Sequence, residues 1–137
     1  MLLTLSGFAA QARDLKFRAV LVWATNAEKS PNPKHKPVDD EVRRKLKELP
    51  LKWSHFFEVN RVSLLVPESG SATARLSEKC QIEVAHVKGD YVEVSLIGKG
   101  QPVLKRTLPL PKGALQPLLG GNAPGDTGWL VMLKRLE

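Results

Sequence analysis

One cysteine in 137 residues excludes an internal disulfide, so the fold has to rest on a hydrophobic core. No apolar run approaches the roughly 20 residues that a helix needs to span a bilayer, which excludes a transmembrane helix. Acids are scarce, 14 against 21 Lys and Arg, and paired-carboxylate catalysis therefore has little material. Three histidines are present, and His35, His55 and His86 do not stand at metal-ligand spacing.

The usual catalytic and cofactor patterns are absent as well. Gly98-Lys99-Gly100 follows a strand, but Pro102 arrives where a phosphate-binding loop needs a capped helix. GGNAPGD holds a single acid, too few oxygen ligands for calcium. GSATARLS lacks the glycine-flanked serine of a hydrolase elbow. Cys80 and His86 share a parity, but six residues along a strand separate them by about 20 Å, too far for a nucleophile and its base. Cys80 is expected as a small buried hydrophobe, His35 as solvated, and His86 at the end of a buried row. No cofactor, no metal and no stand-alone enzymatic activity are expected.

What the chain does have is charge of one sign. The net charge is +7, and a basic surface favours polyanions: nucleic acid inside a cell, anionic glycans or lipid head groups outside it. Residues 1–12 carry none of it. Met1 to Ala12 is a charge-free stretch, apolar from Leu2 to Ala10, closing on Ala10-Gln11-Ala12, the small-x-small pattern of a secretory cleavage site. The positive n-region is missing, so this is expected as a truncated signal peptide; the alternative is an edge strand or short helix of the fold. Residues 13–137 are expected as a single β-rich domain, near the common domain size.

Leu15, Phe17, Ala19, Leu21 and Trp23 alternate with Lys16 and Arg18, the period of a half-buried strand, and from Val20 to Val22 both parities are apolar, as in a central strand. AEKSPNPKHKP is an extended surface loop. A short helix is predicted over 39–49: Asp39 caps it, Asp40 and Glu41 fill its first turn, Arg43, Arg44 and Lys45 follow four residues behind those acids, and Pro50 stops it. Its stripe of Val38, Val42, Leu46 and Leu49 should lie on a sheet. LKWSHFFEVNRVSLLVP, ATARLSEKCQIEVAHV and DYVEVSLIG are predicted strands, with a hairpin turn at Lys88-Gly89-Asp90. QPVLKRTLPLP, with its prolines, fits an edge strand. LGGNAPGDTG is expected as a long turn and WLVMLKRL as the last strand. About six strands and one helix predict an antiparallel β-sandwich or small barrel.

The candidate binding residues are Lys34, Lys36, Arg43, Arg44, Lys47, Lys52 and Trp53, cations crowding one loop and helix beside aromatics. VWATN, KWSHFFEVNR, LSEKCQIEV and GDTGWLVMLKR, taken in order, resemble small uncharacterised exported bacterial proteins of all-β type. The resemblance implies export and a β domain and carries no activity, ligand or site residue. The expectation is an exported binding or structural domain at the bacterial cell envelope. Its partner would be an envelope protein or an anionic glycan or lipid surface, met through the basic face or through an open strand edge. The alternative is a cytosolic OB-like barrel binding single-stranded nucleic acid, with Trp53, Phe56, Arg43 and Arg44 as contacts.

Overall fold

The first strand, β1 (Leu15–Thr25), is apolar on both faces, and both are covered. Leu15, Phe17, Ala19 and Leu21 enter one core while Val20, Val22 and Ala24 enter another. Such a strand has to sit between neighbours and between layers. A computed structural model of the protein describes residues 14–30, 32–123 and 126–137; the predicted leader, Met1 to Ala12, lies outside them.

After β1 come β2 (Lys36–Pro37), α1 (Asp40–Lys47), β3 (His55–Val66), β4 (Ser71–Ser77), β5 (Cys80–Lys88), β6 (Tyr91–Gly98), β7 (Gln101–Pro109), β8 (Leu115–Ala123) and β9 (Thr127–Arg135). They form two antiparallel sheets, β2-β3-β1-β9-β8 and β4-β5-β6-β7. The described residues form a β-sandwich with one short helix, as predicted, and β1 is central.

Between the sheets lies the larger core, which includes Phe17, Leu64, Leu76, Ile82, Val94, Leu96 and Leu133. The smaller cluster, Val20, Val22, Ala24, Val38, Val42, Leu46, Leu130 and Met132, lies on the outer face of the five-stranded sheet beneath α1.

Among the described residues nine strands stand where about six were expected, the extra three being β2 inside the predicted surface loop AEKSPNPKHKP, a split of one predicted strand, and β8. ATARLSEKCQIEVAHV is two strands folded at Glu78-Lys79, with Ser77 opposite Cys80. LGGNAPGDTG is not a long turn, because β8 runs through Gly120 and Gly121 and pairs with β9. Residues 51–54 are not strand but a connection leading into β3 at His55.

Candidate functional site

Helix α1 is fixed at its N-terminal end by charge. Asp39 caps it, its carboxylate accepting from Val42 N–H at 3.0 Å. Arg61 on β3 lies 3.6 Å from the same carboxylate and holds Glu58 with two bonds of 3.0 and 2.7 Å, while Lys36 lies 3.7 Å from Glu58. Glu58 is buried, yet the Arg61 bonds outweigh desolvation and hold its carboxyl below the ordinary range.

The remaining acids of the helix do not take the i,i+4 partners that the sequence spacing predicts. Glu41 reaches to Lys134 on β9 at 2.8 and 3.0 Å and towards Arg18 on β1 at 3.9 Å. Asp40 pairs with Arg43 at 3.0 Å, and Glu48 with Lys45 at 3.6 Å. With its acids spent on the sheet and at its ends, the helix leaves Arg44 and Lys47 exposed and without an acidic partner among the described residues.

Beside this surface the last turn of α1, residues 49–54 and the start of β3 enclose a groove of about 380 Å³. Leu46, Leu49, Leu51, Trp53 and Phe56 form its apolar wall, Arg43 and Lys47 stand on the helix side, and Glu28 stands on the loop side. Leu46 is fully buried; Leu49, Leu51, Trp53 and Phe56 are half-buried, packed against the outer cluster on one side and facing the groove on the other. Trp53 is held from three directions. Its ring occupies the space a side chain would need at Gly128, its indole N–H donates to the Asp126 carbonyl at 3.1 Å, and the Lys52 ammonium lies 5.4 Å from the ring centroid. Ser54 bonds Asn26 and His55, which tethers the same connection to the loop after β1.

Of the seven predicted site residues the groove takes Arg43, Lys47 and Trp53. Arg44 is exposed and outside the groove lining. Lys36 is engaged with Glu58, Lys52 with Asp126 at 3.4 Å, and Lys34 stands exposed in the proline loop. The set is therefore one groove plus scattered surface cations, not a continuous contact. Sequence reasoning missed Leu49, Leu51 and Glu28 as groove residues, since apolar residues after a helix carry no mark that separates a groove wall from a core. His35 is not simply solvated: it is half-buried, its Nδ1 lies 2.7 Å from Ser30 Oγ, and it lines a second pocket of about 300 Å³ with Lys29 and Phe57.

All three tryptophans lie at this end of the sandwich. Register places Phe57, Trp23 and Trp129 in one row across β3, β1 and β9. The Trp23 indole N–H is out of solvent and has no acceptor among the described residues.

Cys80 and His86 are kept apart and differently used. Cys80 is in the main core, and burial pushes its thiol up to about 11. His86 joins two turns, its Nδ1 accepting from Ser69 N–H and its Nε2 donating to the Gly89 carbonyl, each at 2.9 Å. The sheet edges are poor templates for strand addition. Proline stands in β2 (Pro37), β7 (Pro102, Pro109) and β8 (Pro117). The fourth edge, β4, runs alongside β3, where Asn60 donates to the Leu76 carbonyl at 3.0 Å.

Among the described residues no helix is long and apolar enough to cross a membrane. No protein-family model matches the chain, and no curated protein or solved structure matches it significantly.

Proposed function

We propose that the protein is a non-catalytic binding module of the bacterial cell envelope that holds an anionic partner against the face built by α1 and the groove beside it. The observation that carries this reading is the position of Arg44 and Lys47, exposed cations without an acidic partner among the described residues, next to an apolar depression. A net charge of +7 adds long-range attraction of the same sign. The location in the envelope rests on the apolar, small-residue pattern of Met1 to Ala12. Against an enzyme based on Cys80 stands its raised thiol pKa, which leaves little thiolate at neutral pH.

Two measurements test the two halves. Intact mass of the protein expressed with its upstream codons in a bacterial host is expected to place the mature N-terminus at Arg13; a mature chain starting at Met1 sinks the envelope location. Retention on a polyanionic matrix is expected to fall steeply with salt and to drop in Arg44→Glu/Lys47→Glu. Unchanged elution of that variant sinks the proposed face, and preferential retention on single-stranded oligonucleotide favours the cytosolic nucleic-acid reading.

A further inference from the structure

We infer that the groove takes an acidic polypeptide segment carrying an apolar anchor residue, with the anchor against Leu49, Leu51, Trp53 and Phe56 and an Asp or Glu beside it on Lys47. The inference rests on the proposed binding face and names what that face recognises. A polyanion recognised by charge alone meets the cations but leaves the aliphatic wall of Leu49 and Leu51 unfilled. The volume, about 380 Å³, lies within the range of about 300 to 1,000 Å³ in which pockets enclose ligands, and apolar lining with a few placed charges is their usual chemistry. The shape favours a segment that enters the groove over a flat bilayer, because the apolar side chains are half-buried and line a concavity.

Charge complementarity sets the polarity of the occupant. On the helix wall Arg43 is already committed, its guanidinium bonded to Asp40 at 3.0 Å and to the Val38 carbonyl at 3.2 Å. Among the described residues Lys47 has no such partner, and it is the cation left for an incoming carboxylate. Glu28 on the facing wall repels an acid there, so the acid of the segment lies towards α1 and its neutral side towards the loop. Backbone pairing at the adjoining edge is limited by Pro37, so recognition falls on side chains.

The test uses the full chain and three probes, followed by tryptophan fluorescence and calorimetry. The probes are a short synthetic peptide with Phe and Leu flanked by Asp and Glu, the same peptide with Ser in place of Phe and Leu, and phosphatidylglycerol vesicles. The first peptide is expected to bind, and the Ser peptide about tenfold more weakly or worse, as expected for loss of a buried anchor. Lys47→Glu is expected to weaken the first peptide by about tenfold or more, while Lys112→Glu, the same charge change at an exposed site remote from the groove, leaves it unchanged. Thermal melts confirm that both variants fold. Equal affinity for the two peptides overturns the anchor and leaves a face that reads charge alone. Vesicle binding without peptide binding overturns the polypeptide occupant in favour of a membrane. Equal weakening by Lys112→Glu removes the groove as the locus, and failure of all three probes overturns the proposed anionic partner as well.

Discussion

The inner face of the five-stranded sheet meets a second sheet along its length, whereas the outer face is covered by an eight-residue helix and the connections beside it. The two covers differ in kind. Against the inner face, Phe17, Ile82, Leu96 and Leu133 are closed off from solvent in a continuous core. On the outer face the cover stops short, and Leu49, Leu51, Trp53 and Phe56 are left half-covered around a groove. A helix of eight residues is about 12 Å long at helical rise, too short to span the width of five strands. Stability is therefore concentrated between the sheets, and the outer face is where apolar surface remains available to a partner.

The largest effects should come from breaking the inner side. Phe17→Ala removes a fully buried ring and leaves a cavity between two sheets that cannot easily collapse. The expected loss is about 3 to 5 kcal/mol, read as a shift of the urea midpoint. A loss below about 1 kcal/mol would show that the inner core is not the main source of stability and would undo the comparison.

Next in size is Gly128→Ala, which tests the outer cover and, through the Gly121 carbonyl, its contact with β8. A methyl group there collides with the Trp53 ring, so the ring must move off the sheet. Overpacking of this kind costs about 1 to 3 kcal/mol. Trp53 fluorescence should move towards that of exposed indole, and peptide binding in the groove should fall together with stability.

That glycine also shows why the second half of the chain was harder to anticipate than the first. β1 and α1 carry their burial in their own periods, so Leu15 to Thr25 and the Asp39 cap were readable without partners. The glycines of LGGNAPGDTG resemble turn residues locally, yet Gly120, Gly121 and Gly128 lie in strands, and at two of these an indole fills the space above the backbone. Trp129 lies against Gly120, and Trp53 against Gly128. Only the distant aromatic distinguishes the two cases. The β4 to β5 turn was hidden for the opposite reason. Neither Glu78 nor Lys79 adopts a positive φ, so the turn needs no Gly or Asn, and Arg75 secures it by donating to the Ser77 and Glu78 carbonyls. In the groove, Arg43, Lys47 and Trp53 stood out by charge and by size. Leu49 and Leu51 did not, since their role depends on how far α1 reaches.

Glu58→Gln addresses the clamp that holds α1 on the outer face. Removing the carboxylate leaves Arg61 with Asp39 alone at 3.6 Å, and because Arg61 is itself 39% exposed the cost is held to about 1 to 2 kcal/mol at neutral pH. The pH dependence has a definite sign. The Glu58 carboxyl titrates below its ordinary 4.5 in the folded protein, chiefly through its Arg61 hydrogen bond. Its contribution is whole above that ordinary value and is lost as pH falls through the lowered one. The gap between wild type and Glu58→Gln in urea midpoint should therefore close at acid pH. A gap that is constant down to pH 3 would show that the carboxylate charge is not what clamps the helix. Asp39→Ala removes the cap from the same cluster and should cost about 1 kcal/mol. Its effect should be less than additive with Glu58→Gln, since both act through Arg61.

The smallest effect on stability is expected where the effect on binding is greatest. Lys47 is exposed, has no acidic partner among the described residues and stands at the last turn of α1. Its charge there interacts favourably with the carbonyl end of the helix, a contribution of only a few tenths of a kcal/mol in solvent. Lys47→Glu should therefore shift the urea midpoint by no more than about 0.5 kcal/mol equivalent, while weakening the acidic peptide strongly. The paired outcome separates the two faces of the sheet: substitutions between the sheets change stability and reach the groove only by unfolding it, whereas Lys47 changes the groove and leaves the fold intact. If Lys47→Glu proves as destabilising as Asp39→Ala, then Lys47 is part of what secures the helix, and the cation assigned to the partner is instead spent on the protein itself.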